Sequence, residues 1–142
     1  MSNRIPASQY DALLRDAGKL LGLQEDLAFK DQCCALQFGA VAVNLQRDDV
    51  HQRIVMSGYL LELPRTVAQA TLELLLAANL YWQSGATVCL EPQSRSLLML
   101  HPEAMHGLTA RGLLERLQKF AESVGTARAK LAERIAAEHK AA

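Results

Sequence analysis

The sequence predicts an α+β domain in which a twisted antiparallel sheet packs against helices, and in which two copies form a homodimer. The spacing of apolar residues alternates between the helical and the strand period in the order α-β-β-β-α-β-β-α. In addition, the segment 66–82 is apolar around almost its whole circumference. A chain of 142 residues has the length of one domain, and its core is expected over about residues 8–136.

The first three elements are a helix and two strands. Apolar residues recur at helical spacing over 10–21, with Ser8 as the expected N-cap and Gly22 as the expected C-cap. The period then changes to two over 33–38 and 41–46, and the glycine between these runs indicates a tight hairpin turn. A β-hairpin is therefore expected directly after the first helix.

The next two elements are a longer strand and the central helix. The strand is expected over 54–63, bending or bulging at Gly58 and ending before Pro64. Thr66 is the expected N-cap of the helix over 66–82. A charged run separates this strand from the hairpin and is expected to form a solvated turn.

The last part of the chain predicts a second hairpin and a long helix. Strands are expected over 86–91 and 96–100, joined by a short turn. Pro102 breaks the chain after them. A final helix runs from Thr109 with apolar residues close to a heptad spacing.

The central helix carries two separate apolar stripes on a helical wheel. One of them covers the core of its own chain, so the other is expected to be buried against a second copy. The stripes are Val67, Ala70, Leu74, Ala78 and Tyr81, and Ala68, Leu72, Leu75, Leu76 and Trp82. The pattern leaves open which stripe faces the partner. The predicted dimer interface comprises Leu72, Leu75, Leu76, Asn79 and Trp82.

Composition excludes several classes of partner. Lys plus Arg and Asp plus Glu number 15 each, so no basic excess favours nucleic acid or an anionic membrane. The longest apolar stretch, 74–82, is too short for membrane insertion, and the polar N-terminus predicts no secretory signal. Three cysteines, two of them adjacent, make no disulfide framework. The expected location is the cytoplasm.

The residue types that carry chemistry are scattered. His101 and His106 flank a proline at a spacing that suits no zinc motif, and both are expected to be surface histidines. Cys89 lies mid-strand and is expected to be a small core residue. No glycine-rich phosphate loop is present. We therefore predict no catalytic residue, no metal site and no cofactor, and we predict that the chain is not an enzyme.

The order of elements resembles that of the class I type III secretion chaperones, the Tir-chaperone family. The resemblance extends to LLLAANLYWQSGATVCLEPQSRSLLML at 74–100, where a Leu-rich helix, a small Gly-containing turn and a Leu-x-Pro hairpin follow one another. The segment LLERLQKFAESV at 113–124 is similar to the last helix of that family. The resemblance spans about residues 10–135.

This resemblance implies a bacterial cytoplasmic homodimer, paired through the helix 66–82, that binds the N-terminal region of one or a few secreted effectors. The chaperone keeps that region extended on apolar patches and a free sheet edge, and delivers it to the secretion machinery without ATP. Many members are acidic, whereas this chain is balanced, so apolar contacts are the expected source of affinity. The predicted effector-binding surface comprises Leu13, Leu14, Leu21, Leu36, Phe38, Val43, Ile54 and Met56.

Two alternatives remain open from the residues alone. One is a homodimeric adaptor that binds a folded protein and has no role in secretion. The other is a small enzyme or ligand-binding domain whose site assembles only across the dimer; a deep closed pocket with converging polar groups would favour it.

Overall fold

The chain folds in the predicted order of elements, and the α+β class is confirmed. The computed structural model describes residues 7–22, 33–80 and 86–141, so Tyr81 and Trp82 lie outside the described residues. The helices are α1 (Ala7–Leu20), α2 (Gln69–Leu80) and α3 (Ala110–Ala141). The strands are β1 (Cys33–Phe38), β2 (Val41–Asp48), β3 (Arg53–Glu62), β4 (Thr87–Glu91) and β5 (Ser96–Ala104).

All described strands belong to one antiparallel sheet in the order β1-β2-β3-β5-β4. The hairpin of β1 and β2 closes through a two-residue turn, Gly39–Ala40, with Phe38 opposite Val41. Gly39 has a φ of +60° in the first central position, as a type II′ turn requires. The predicted hairpin is confirmed, and it makes β1 an edge strand.

The alternation of side chains along the strands determines what the core contains. Val43, Ile54, Met56 and Met99 point to one face of the sheet and are at most 1% exposed. Helix α3 packs across β2 and β3 on this face, and α1 packs against α3. A salt bridge of 2.8 Å between Asp11 and Arg47 ties α1 to β2 on the same side.

Helix α3 comes close to the sheet at Gly58. A Cβ atom at this position would lie 2.6 Å from Cγ2 of Val124, which itself is fully buried in α3. The sequence predicts a bend or bulge at Gly58, and the irregularity lies just after this residue. The register of β3 against β5 shifts between Tyr59 and Leu61, and Gly58 provides the space that the helix needs.

Two helix termini test the caps predicted at Gly22 and Ser8, and a third shows a cap at Thr109 that was not predicted. Gly22 has a φ of +71° and donates to the carbonyl of Lys19 over 3.0 Å, as expected of a C-cap glycine. Thr109 accepts a 3.0 Å hydrogen bond from the backbone N–H of Gly112, so it caps α3. Ser8 lies inside α1, so the expected cap at that position is wrong.

The start of α2 and the end of β5 also differ from expectation. Helix α2 begins at Gln69, and the Ala68 carbonyl accepts the first backbone hydrogen bonds, so Thr66 is not its N-cap. Strand β5 continues through Pro102, which lies opposite Val55. A proline is tolerated there because β4 pairs only with the earlier part of β5, up to Leu100.

Candidate functional site

Helix α2 exposes a row of leucines to solvent. Leu72, Leu76 and Leu80 follow one another at a spacing of four residues, and their exposed fractions are 41%, 72% and 77%. We call this row the α2 leucine stripe. Single exposed leucines are common on protein surfaces, but a contiguous row on one helix is typical of an interaction surface.

The opposite side of α2 is fixed to its own chain. Thr71 is fully buried, and Nε of Arg134 in α3 donates to its hydroxyl over 3.1 Å. Leu75 is half-buried against the core. The side chain of Asn79 accepts from the N–H of Val88 at 2.7 Å and donates to the carbonyl of Val88 at 3.2 Å. Asn79 thus satisfies both backbone groups of this edge residue, as a neighbouring strand would.

The predicted dimer-interface residues differ from one another in their surroundings. Leu72 and Leu76 lie in the α2 leucine stripe, Leu75 packs on its own core and Asn79 bonds β4. Trp82 lies outside the described residues. The side of α2 that packs on its own chain therefore lies between the two predicted stripes and coincides with neither of them. Leu80, which sequence analysis missed, continues the four-residue spacing of Leu72 and Leu76, and that spacing was the available signal.

The predicted effector-binding residues divide in a similar way. Most are in the core, which corrects the prediction that they form a surface, because a buried side chain cannot contact a partner unless the domain opens. The buried ones are Leu14, Leu36, Val43, Ile54 and Met56. Leu13, Leu21 and Phe38 are half-buried and pack against the rim of the core, so their contact with an effector remains a prediction.

The face of the sheet opposite α1 and α3 is also apolar. Strand register places Val55 and Tyr59 of β3, Leu98 and Leu100 of β5 and Cys89 of β4 on this side. Each is half-buried or exposed, with Tyr59 at 46%. We call this set the open sheet face. The predicted effector-binding surface names Ile54 and Met56 of β3, which point to the other face of the sheet, into the core.

Cys89 is part of this face and is not a core residue, which corrects the expectation. Partial burial raises the pKa of its thiol. A raised pKa disfavours the thiolate, which is the form that acts as a nucleophile or binds a metal. The residue therefore behaves as a small apolar side chain.

Helices α2 and α3 enclose a groove of about 730 Å³ on the helical side of the sheet. Leu60, Leu75 and Leu131 contribute to its apolar floor. Leu74, which is 47% exposed, forms part of the α2 wall. We call this feature the α2–α3 groove. It adjoins the α2 leucine stripe, so uncovered apolar surface is continuous from the groove around α2.

The buried carboxylate of Glu103 is the centre of a polar cluster beneath α3. Its Oε1 lies 2.7 Å from Nε2 of His101, and its Oε2 accepts a 2.6 Å hydrogen bond from Nη1 of Arg116. Both oxygens are thus paired, and the cluster joins β5 to α3. His101 is half-buried here, which corrects its expected surface position, whereas His106 is exposed.

Two further findings concern the described residues as a whole. Within residues 7–22, 33–80 and 86–141, no three His, Cys, Asp or Glu side chains are grouped so as to hold a metal ion. Among the helices in these ranges, none is long and apolar enough to cross a membrane.

An α+β domain with this much uncovered apolar surface belongs to the class of proteins that act by binding other proteins. The model of the Tir chaperone protein (CesT) family matches residues 12–128, and the chain belongs to this family. This is a family of chaperones and not of enzymes. The family resemblance stated from the sequence is confirmed.

Solved structures with the same fold include several protein complexes. A chain of the ExsC-ExsE complex superposes with a TM-score of 0.76 at 15% identity, covering 88% of this chain and 95% of that one. A chain of the HopA1-SchA chaperone-effector complex gives 0.68 at 23% identity, covering 87% and 98%. A chain of the complex of the Yersinia pestis type III secretion chaperone SycH with a stable fragment of YscM2 gives a TM-score of 0.63 at 20% identity, covering 82% of this chain and 98% of that one. Among curated proteins, none matches the chain significantly in sequence.

Proposed function

We propose that this protein is a homodimeric chaperone that binds the N-terminal region of a type III secreted effector in the bacterial cytoplasm. It keeps that region extended and competent for secretion without using ATP. The observation that carries the proposal is the extent of uncovered apolar surface, on α2 and on the open sheet face, in a member of the Tir chaperone family. Similar folds are solved in complex with protein partners, including an effector.

The proposed homodimer uses the α2 leucine stripe. Its three leucines project away from the chain that fixes α2 through Thr71 and Asn79. Two such stripes related by a two-fold axis bury each other, because a symmetric interface pairs the same patch on both subunits. The stripe is thereby removed from water without any change in the fold of the single chain.

The proposed effector contact includes the outer edge of β1. Within the described residues, β1 pairs with β2 alone, and β4 pairs with β5 alone. The edge of β4 is occupied at Val88 by the Asn79 amide. An extended effector segment therefore finds backbone groups to pair with at β1, where it adds a strand to the sheet.

Coexpression tests the proposal directly. The chaperone is produced with a tagged N-terminal region of the secreted protein encoded by a neighbouring gene, and we expect the two to copurify. A matched control uses the C-terminal region of the same secreted protein, which is not expected to copurify. Failure of the N-terminal region to copurify and to be protected from proteolysis would contradict the proposed function.

Replacing Ala35 with Pro is expected to weaken effector binding about tenfold without unfolding the protein, because one edge hydrogen bond is lost. Phe38 and Val41 flank the turn and form a hydrogen-bonded pair. Because the backbone groups of successive strand residues point alternately toward and away from the neighbouring strand, Ala35, three residues before Phe38, directs its N–H away from β2. The Ala35 side chain is exposed. Titration calorimetry with the purified effector region measures the change. Ala35→Thr keeps the N–H and is the matched control. Unchanged affinity in a folded Ala35→Pro variant would exclude strand addition at β1.

A further inference from the structure

The α2–α3 groove combines an apolar floor with an uneven distribution of charge along its walls. Its α3 wall carries Lys119, Lys130 and Arg134 against one carboxylate, Glu122. The whole chain has 15 basic and 15 acidic residues, so this excess is local. Neither lysine forms an ion pair with any residue that the structure describes. The groove is thus apolar at its floor and positively charged along one side.

The position of the groove determines the backbone conformation of an occupant. It lies between two helices and reaches the edge strand β4 only at Val88, whose backbone N–H and C=O are already bonded to the Asn79 side chain. An extended segment there would leave its N–H and C=O groups without backbone partners, whereas a helix satisfies its own. The groove wall from Lys119 to Arg134 is about 22 Å long, at 1.5 Å per helical residue. That length accommodates about four helical turns.

The charge of the groove walls favours a particular pattern of charge on the occupant. A helix that enters this groove presents an apolar ridge to Leu60, Leu75 and Leu131. Its flank next to α3 faces the two lysines and Arg134, so carboxylates are favoured there and basic residues are repelled. The helices of this chain do not supply such a flank, because α1 and α3 carry both signs and α2 has the single carboxylate Glu73.

We propose that the α2–α3 groove binds an amphipathic helix of the effector, with an apolar ridge flanked by Asp or Glu on the side that faces α3. This inference rests on the proposed function and adds a second mode of recognition to it. The edge of β1 binds an extended segment through backbone hydrogen bonds, whereas the groove recognises a helical segment through apolar contact and charge.

Two synthetic helical peptides test the proposal against the full-length protein. Both are about 16 residues long and share one leucine ridge; the flanking positions are Glu in one and Lys in the other. Fluorescence anisotropy is expected to show at least about tenfold tighter binding of the acidic peptide at low salt, with the difference reduced at high salt. The double variant Lys119→Glu/Lys130→Glu is expected to reverse the preference.

The control is the double variant Arg111→Glu/Lys140→Glu, which makes the same change of net charge on α3 outside the groove. It is expected to keep the preference for the acidic peptide. Equal binding of both peptides, or equal loss in the control, would overturn the proposal. Dissociation of the homodimer by the acidic peptide would also overturn it, because a second copy would then be the occupant. If the effector copurifies and no peptide preference exists, the groove assignment fails while the proposed function stands.

Discussion

Replacing Leu76 with Asp is expected to convert the proposed homodimer into folded monomers. Leu76 is 72% exposed in the single chain, so a carboxylate at this position stays in water in the monomer. In a two-fold interface the same substitution occurs twice, once on each subunit. At about 2 kcal/mol for each central position, the dimer loses about 4 kcal/mol, or roughly a thousandfold in affinity. Light scattering at micromolar concentration should give twice the chain mass for the original protein and the single mass for the variant.

Two further variants show whether the effect belongs to the α2 leucine stripe. Val50→Asp places the same charge at a position that is 77% exposed but lies in the turn after β2, and it should leave the dimer intact. Leu75→Asp introduces the charge where the side chain packs on its own core, so it should unfold the chain and not only dissociate it. A monomeric original protein, or a dimeric Leu76→Asp variant, would exclude this interface.

Replacing Gly58 with Ala is expected to destabilise the fold by about 1–3 kcal/mol through overpacking. The added Cβ would lie 2.6 Å and 3.0 Å from the two γ-carbons of Val124. Valine in a helix has one strongly preferred rotamer, so these carbons cannot easily turn away. The entropy that alanine removes from the unfolded chain stabilises by at most about 1 kcal/mol, which is less than the cost of the clash. Thermal unfolding at fixed protein concentration measures the difference.

Gly125→Ala is the matched control, because it is expected to change stability in the opposite direction. Gly125 lies inside α3, and an added Cβ would meet only Cγ2 of Val41, at an ordinary 3.7 Å. Alanine is favoured over glycine in a helix by about 1 kcal/mol, so the variant should be more stable. Adding Val124→Ala to Gly58→Ala should recover part of the loss, giving a coupling of about 0.5–3 kcal/mol. Equal stability of Gly58→Ala and the original protein would contradict the close approach of α3.

Elements whose limits depend on neighbouring residues were predictable from the sequence. The hairpin at Gly39 and the end of α1 at Gly22 rest on backbone conformations that glycine adopts without steric cost. The order of helices and strands follows from apolar periodicity, and the family resemblance follows from that order together with the segment 74–100. Each of these inferences requires only the residues within a few positions.

Errors occurred where distant packing decides the outcome. Gly58 was interpreted as a bend or bulge because a glycine in a strand often marks one, but its role depends on Val124, far away in the sequence. Pro102 was interpreted as a break, but it is tolerated because β4 pairs only with the earlier part of β5. The Asn79 amide satisfies the edge of β4, a contact that the helical pattern does not indicate, and its place in the dimer interface stays a prediction.

The sequence by itself determined the fold class, the order of elements, the family and the presence of more apolar surface than one small core requires. Only the tertiary structure decided which apolar residues remain uncovered. Ile54 and Met56 were predicted at the surface but are in the core, while Val55 between them lies on the open sheet face. Alternation along a strand divides its residues into two sets, but the set that is buried depends on the face that α1 and α3 cover. The placement of those helices is a property of the whole chain, and no local pattern contains it.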